Sequence, residues 1–168
     1  MTRRMFHRTA AYARFSRPTK SGGFTLVELV TVVTIVGVLG AIIAPTFRDF
    51  IIQQRIRNAG YELMSDLVFA RSEAVKRNQS VTITKASTWT GGWTIADAAN
   101  VTLRQHPAFT NTITITAGSN SATFLLNGRT SAAVAFTIDD TGGKASIESL
   151  CVSLDASGRP RSYLGTCS

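Results

Sequence analysis

The chain has 168 residues, a length that suits one domain with an appendage rather than two large domains. Its formal net charge of +8 on its own favours nucleic acid or an anionic membrane surface as a partner. The charge is unevenly placed, because residues 1–23 contain six Lys/Arg and no acid, whereas the remainder contains 12 Lys/Arg against 10 Asp/Glu. Any anion binding beyond residue 23 must therefore come from local clustering of basic side chains.

An apolar run follows the basic segment. Residues 24–44 contain one charge, Glu28, and Pro45 follows them. At about 1.5 Å per residue, a helix of this length can cross a hydrocarbon core of about 30 Å, and the preceding basic residues predict a cytoplasmic N-terminus. A secretory signal cleaved after "VLGAIIAP" is an alternative, whereas a twin-arginine signal at Arg3 and Arg4 lies too far from the run. A plain anchor leaves Glu28 unexplained, since ionisable groups in spans usually have a partner.

The segment "GGFTLVELV" resembles the processing site of type IV prepilins and type II secretion pseudopilins. This resemblance implies that a prepilin peptidase cuts after Gly23 and that the new N-terminal residue, Phe24, is N-methylated. It also implies that Glu28 pairs with the N-terminal amine of the neighbouring subunit, because two charges buried in an apolar filament core need each other. Residues 1–23 are then a cleaved leader, longer than most in the family, and Met5 is an alternative start.

The helical pattern continues past Pro45, which we expect to kink the helix rather than end it. Apolar residues recur at steps of mostly three and four up to about Asn78, where basic residues suit a helix C-terminus. We therefore predict a transmembrane or filament-core half at 24–45 and an amphipathic half at 46–78 that packs on a globular head. The predicted apolar face consists of Phe47, Phe50, Ile51, Ile56, Gly60, Leu63, Leu67, Ala70 and Ala74.

Residues 79–168 consist of short segments rich in β-branched residues and separated by glycine-containing turns. The segments are "SVTITKAS", "GWTIA", "VTLRQ", "TITIT", "ATFLL", "AVAFTID", "SIESLCVSL" and "RSYL". They predict an antiparallel sheet with the helix on one face, and hence an α+β, pilin-like fold: a long N-terminal helix with a β-rich head. The helix-to-strand junction "LMSDLVFARSEAVKRNQSVTI" resembles that of the GspH/FimT group of minor pilins and pseudopilins.

Residue types that support catalysis are scarce. His106 is the only histidine after the leader, and we expect it to be an exposed loop side chain. Asp139 and Asp140 precede "TGG", which favours a turn over a calcium site. The segment "TWTGGW" is typical of a hairpin whose tryptophans join strands, with a base-stacking platform as the alternative. We predict no enzyme activity, no metal and no cofactor.

The C-terminal segment "CVSLDASGRPRSYLGTC" contains both cysteines of the chain. Because the head is predicted to lie outside the cytoplasm, we expect Cys151 and Cys167 to form a disulfide. Pro160 cannot donate to a β-ladder and so indicates an edge strand. On an extended strand Arg159 and Arg161 would project from the same face, where their guanidinium groups can bind phosphates.

The alternative for the two arginines is a solvated turn, in which they pair with acids such as Asp155. However, "GRPR" also resembles the GRxR motif of those family members that bind DNA during natural transformation. This resemblance implies contacts to DNA, without sequence preference, from Gly158, Arg159 and Arg161. Two further basic residues are candidates to extend the site: Arg129 and Lys144.

Together these features predict a minor pilin of a type IV pilus that takes part in filament assembly and binds DNA for uptake. Its expected partners are other pilin subunits, the prepilin peptidase, the inner membrane and DNA. It would cross the bacterial inner membrane once, with a periplasmic head, before entering the filament. The alternative is an H-type pseudopilin of a type II secretion system with protein partners only, although the cysteine pair around "GRPR" favours the pilus.

Overall fold

The computed structural model describes residues 23–167 and, within them, the side chains of all residues except 42–46. The predicted leader, apart from Gly23, therefore lies outside the described residues. The chain divides into two units, Met1–Gly40 and Ala41–Ser168. The hydrophobic core extends from Ile52 to Leu154, so the second unit contains all of it.

Helix α1 extends over Leu26–Arg77, and its assignment continues through Pro45. Within the first unit, the hydroxyl groups of Thr31 and Thr34 donate to the carbonyl groups of Val27 and Val30, each at 2.7 Å. These bonds satisfy the two hydroxyl groups inside the helix, as an apolar environment requires. In the stretch of chain that the structure describes, no helix has both the length and the apolarity needed to cross a membrane.

The C-terminus of α1 closes with a left-handed residue. Asn78 has φ +53°, its N–H donates to the carbonyl of Val75, and the N–H of Gln79 donates to that of Ala74. This pair of bonds is the Schellman arrangement, which satisfies carbonyl groups that the helix would otherwise leave open. The predicted end near Asn78 is thus confirmed.

The amphipathic half of α1 buries one face in the head. Its buried apolar residues are Ile52, Ile56, Ala59, Leu63, Leu67, Ala70 and Ala74, spaced by three or four. The predicted face was wrong at its start, because Phe47 and Phe50 are exposed and the buried stripe begins at Ile52. The apolar periodicity alone did not show where the head begins to cover the helix.

The described chain contains eight strands, one in each segment that the pattern predicted. They are β1 Val81–Lys85, β2 Trp93–Asp97, β3 Thr102–His106, β4 Ile113–Ala117, β5 Ser121–Phe124, β6 Val134–Asp140, β7 Leu150–Leu154 and β8 Pro160–Leu164. They form two antiparallel sheets, in the orders β3-β2-β1-β5 and β4-β6-β7-β8, where a single sheet was expected. The strand β8 lies at the edge of the second sheet, as Pro160 predicted.

The helix packs on both sheets. Against the second sheet, Gly60 allows close approach, since a methyl group there would overlap the side chain of Leu150. Against the first sheet, the buried carboxylate of Asp66 accepts from Trp93 Nε1 at 2.8 Å and Arg104 Nη1 at 2.7 Å. The guanidinium of Arg104 also lies 3.7 Å from the centre of the Phe69 ring. The two sheets are thereby held on one helix and share one core.

Candidate functional site

The turn between β7 and β8 begins at Asp155, whose side chain organises it. The Oδ1 atom of Asp155 accepts from the hydroxyl and the N–H of Ser157 and from the N–H of Arg159, and the Asp155 carbonyl accepts from the N–H of Gly158. The Ser157 hydroxyl, followed by the Arg159 N–H, holds the pKa of Asp155 below its ordinary value. The carboxylate is therefore used to cap the turn.

A contact between two glycines fixes the turn against the rest of the head. Gly158 is buried at φ +76°, and a methyl group there would overlap the carbonyl oxygen of Gly128. That oxygen accepts from Arg71 Nε at 2.9 Å, which links the turn to the helix. Gly128 itself has φ +73°. Glycine is therefore required at position 158 both by the backbone conformation and by the close approach of another chain segment.

The loop between β5 and β6 also holds the turn. The hydroxyl of Thr130 donates to the carbonyl of Asp155 at 2.8 Å, and the N–H of Thr130 donates to that of Ala156 at 3.4 Å. Arg129 lies between Gly128 and Thr130, both of which contact the turn, and its side chain is exposed. The expectation that Arg129 extends the site is consistent with this placement.

The disulfide between Cys151 and Cys167 is present, as predicted. Cys151 is buried in β7, and Cys167 follows β8, so the bond encloses the turn and the edge strand. A closed loop of about 15 residues stabilises a fold by about 3 kcal/mol in the chain-entropy model. The bond also ties the end of the edge strand to the strand beside it.

We call residues 155–161 the arginine turn. Arg159 and Arg161 are exposed, and Arg161 lies in β8 opposite Ser153. Among the residues that the structure describes, neither arginine forms an ion pair with an acid. Asp155 accepts from the backbone N–H of Arg159, and after the hydrogen bonds from Ser157 and Arg159 the positive charge of Arg161 is the smaller cause of the lowered Asp155 pKa. The alternative in which Asp155 neutralises the arginines is therefore not what the structure contains.

Lys144 does not belong to this site. Its Nζ atom lies 2.7 Å from Asp49 Oδ1. The hydrogen bond from Lys144, and to a lesser extent that from Ser146, lowers the pKa of Asp49. Asp49 and Arg71 are separated along the helix by roughly 33 Å at about 1.5 Å per residue. Arg71 binds the Gly128 carbonyl, which lies against the arginine turn, and Asp49 binds Lys144. The arginine turn and Lys144 therefore lie near opposite ends of the amphipathic half of α1.

Three further expectations concerned aromatic and acidic residues. Trp89 and Trp93 are only 2% and 1% exposed, which rules out a base-stacking platform formed by these rings. His106 ends β3, and its ring stacks on those of Trp93 and Phe109, which also contact each other. Its Nε2 atom lies 2.9 Å from Glu62 Oε2, so the prediction of an exposed loop side chain was wrong. The sequence carried no local signal for this stacking, because its partners lie on other elements.

The acidic pair was expected to form a turn. The N–H of Gly143 donates to the carbonyl of Asp140, which confirms the turn. In the described part of the chain, no cluster of three or more metal-ligating side chains occurs.

The start of α1 brings together the residues of the predicted processing site. Phe24 is exposed, and the hydroxyl of Thr25 accepts from the N–H of Glu28 at 3.2 Å. Thr25 is thus the N-cap of α1 and Glu28 occupies the third helical position, the spacing of a capping box. The negative charge also lies near the positive end of the helix dipole. Sequence reasoning missed this second role of Glu28, although the Thr-x-x-Glu spacing was visible.

Comparisons with known proteins agree with this architecture. A family profile described as "Type II transport protein GspH" matches residues 59–158, and one described as "Prokaryotic N-terminal methylation motif" matches residues 18–44. Two crystal structures of the Pseudomonas aeruginosa type IV minor pilin FimU are 28% identical to the chain and cover 64% of it. The matches include 87% and 91% of those chains, with TM-scores of 0.57 and 0.55.

The minor pseudopilin EpsH from the type 2 secretion system of Vibrio cholerae is 13% identical, which indicates likeness of fold. That match covers 64% of this chain and 95% of EpsH, with a TM-score of 0.53. No protein with a curated function matches the sequence.

Proposed function

The chain belongs to the GspH family of minor pilins and pseudopilins, and from this premise we propose that it is a type IV pilus subunit whose arginine turn binds DNA. The 28% identity to the type IV minor pilin FimU supports the type IV assignment, whereas the likeness to EpsH is one of fold. The alternative assignment, an H-type pseudopilin with protein partners only, is retained as an outcome of the experiment below.

We propose that the chain enters the inner membrane through residues 24–45, with its head in the periplasm, and is cut by prepilin peptidase between Gly23 and Phe24. The methylation-motif match over residues 18–44 supports this processing. In the filament, Glu28 pairs with the N-terminal amine of a neighbouring subunit. Glu28 lies in the first turn of α1, close to the processing site, and its backbone N–H donates to the Thr25 hydroxyl. Other pilin subunits are therefore its assembly partners.

The observation that carries the DNA proposal is that Arg159 and Arg161 are exposed, without ion pairs among the described residues, on a turn whose backbone is fixed. Arginine forks bind phosphate oxygens by paired hydrogen bonds, and phosphate contacts carry no sequence information. A fixed backbone leaves mainly side-chain freedom to be lost on binding. We therefore expect binding without sequence preference, with Gly158 holding the turn in place.

The test is DNA binding by residues 41–168, the unit that contains the whole hydrophobic core. We expect this fragment to retard duplex DNA in a gel, with affinity that falls steeply as salt rises. The double variant Arg159→Gln/Arg161→Gln should abolish the shift at moderate salt. At low salt, its plot of log affinity against log salt should be less steep by about two, since each phosphate contact contributes about 0.9.

A matched control removes the same charge elsewhere. The double variant Arg48→Gln/Lys144→Gln changes residues near the opposite end of the amphipathic half of α1. Its DNA binding should stay close to that of the wild type. Equal losses in the two double variants would mean that bulk charge, not the arginine turn, binds DNA. Absence of any shift for the wild type at moderate salt would favour the secretion pseudopilin.

A further inference from the structure

A groove beside the edge strand combines exposed aromatic rings with a basic side chain. It lies between α1 and β8 in the Ala41–Ser168 unit and has a volume of about 250 Å³. Tyr61 is 67% exposed and Tyr163 is 45% exposed, so two large rings face solvent. We call it the tyrosine groove, and its lining residues are Arg57, Tyr61, Leu150, Ser162, Tyr163 and Leu164.

The two elements present rings and cations at matching spacings. Arg57 and Tyr61 are four residues apart on α1, and such residues lie on the same helix face. Arg161 and Tyr163 are two residues apart in β8, and such residues lie on the same side of a strand. The tyrosine groove is thus continuous with the arginine turn through β8. The groove itself is lined by one guanidinium group, that of Arg57, and two phenol rings, and the guanidinium of Arg161 lies next to it, two residues before Tyr163 in β8.

This combination is suited to single-stranded nucleic acid. Single-strand binding sites combine a basic track for the phosphates with aromatic rings on which bases stack, and every base offers a ring face. A duplex keeps its base faces stacked inside the helix, so it can use the arginines but not the rings. Among the described hydrogen bonds, none involves the hydroxyl of Tyr61 or Tyr163, so neither ring is held by a polar bond within the head.

We propose that the tyrosine groove stacks unpaired bases, so that the head binds single-stranded DNA more tightly than duplex DNA. This inference rests on the proposed function, since the arginine turn would hold the phosphates next to the groove. The ligand class is an unpaired DNA strand or the frayed end of a duplex. Recognition is by base stacking and is therefore tolerant of sequence.

The experiment compares three labelled probes on residues 41–168 by fluorescence anisotropy. The probes are an oligothymidine of about 20 nucleotides, the same strand with abasic sites at its centre, and a duplex of equal length. The wild type should bind oligothymidine more tightly than both other probes. Tyr61→Ala and Tyr163→Ala should each weaken oligothymidine binding about fivefold or more while changing duplex and abasic binding less than twofold.

Conservative variants separate stacking from folding. Tyr61→Phe and Tyr163→Phe keep the ring and should retain the preference for oligothymidine over the abasic strand. Equal affinity of the wild type for these two probes would overturn the inference, as would alanine variants that keep the preference. Alanine variants that bind all three probes normally as residues 41–168, but that no longer enter filaments as full-length chains, would identify the groove as a subunit contact instead.

The same assay distinguishes this inference from the proposed function. If Arg159→Gln/Arg161→Gln abolishes duplex binding but the tyrosine variants change nothing, the groove inference fails and the proposed function stands. If the arginine variant binds all probes like the wild type, the proposed function fails at its site. The groove inference also falls in that case, because it places the phosphates on those arginines.

Discussion

Replacing Gly158 by alanine tests the packing that fixes the arginine turn. Gly158 has φ +76°, a conformation that costs an L-residue roughly 1–2 kcal/mol. The added methyl group also overlaps the carbonyl oxygen of Gly128, which is held by Arg71 Nε at 2.9 Å. Overpacking a tight site typically costs about 1–3 kcal/mol. The variant should therefore lose about 2–5 kcal/mol of unfolding free energy.

Urea unfolding of residues 41–168 with the disulfide intact measures this loss. Two other glycines separate its causes. Gly143→Ala adds a methyl group at φ +60° in open space, and Gly118→Ala adds one in open space without a positive φ. We expect little change at Gly118, about 1–2 kcal/mol at Gly143, and at least about 1 kcal/mol more at Gly158. A loss at Gly158 no greater than that at Gly143 would refute the packing argument.

The same variant tests the link between packing and binding. Gly158→Ala leaves Arg159 and Arg161 in the chain but moves the backbone that carries them, so DNA affinity should fall at temperatures where the protein is still folded. Gly143→Ala lies in the loop after β6 and should bind DNA normally. Normal binding by folded Gly158→Ala would show that the arginines act without a fixed turn.

Two further predictions concern individual carboxylates. Hydrogen bonds from the Ser157 hydroxyl and the Arg159 N–H lower the pKa of Asp155 in the folded protein. Ionised Asp155 therefore stabilises the fold fully at pH above its ordinary pKa of 3.8, and this stabilisation is lost as pH falls through the lower pKa of the folded state. The fall in melting temperature between neutral pH and about pH 3 should therefore be smaller in Asp155→Asn than in the wild type, and an equal fall would contradict the capping role. For Glu28, we expect Glu28→Gln to be cut normally but to enter filaments poorly, because glutamine keeps the capping-box spacing without the charge. Assembly is measured by immunoblotting of sheared filaments, and normal assembly of Glu28→Gln would mean that the role of Glu28 is helix capping rather than charge pairing. Thr25→Ala is the matched control, because it removes the cap and keeps the charge.

Local patterns were sufficient to predict the elements of the fold. The eight strand segments, the helix end near Asn78, the edge position of β8 and the disulfide all agree with the structure. Each depends on residues close together in sequence or on chemistry that few residues can satisfy. Alternation of β-branched residues determines a strand locally, and the two cysteines of the chain have one possible partner within it.

The arrangement of those elements could not be predicted in the same way. The bond from Arg71 to Gly128 joins residues 57 apart, and no local pattern marks either residue as a partner. The division into two sheets, the stacking of His106 and the exposure of Phe50 likewise depend on which surfaces meet after folding. Sequence reasoning found the arginines of the candidate site but not the contacts that hold their backbone.

The structure gives a physical reason why the charges of the arginine turn differ from those of Arg104 and Lys144. Arg104 and Lys144 pair with Asp66 and Asp49, so their charges are largely satisfied within the head. In the arginine turn the nearest acid, Asp155, instead accepts from backbone groups. Using the carboxylate in this way makes the turn rigid and keeps both guanidinium groups available to a ligand. A site built to bind phosphate needs both properties, because rigidity lowers the entropy lost on binding and an internal salt bridge would compete with the phosphate.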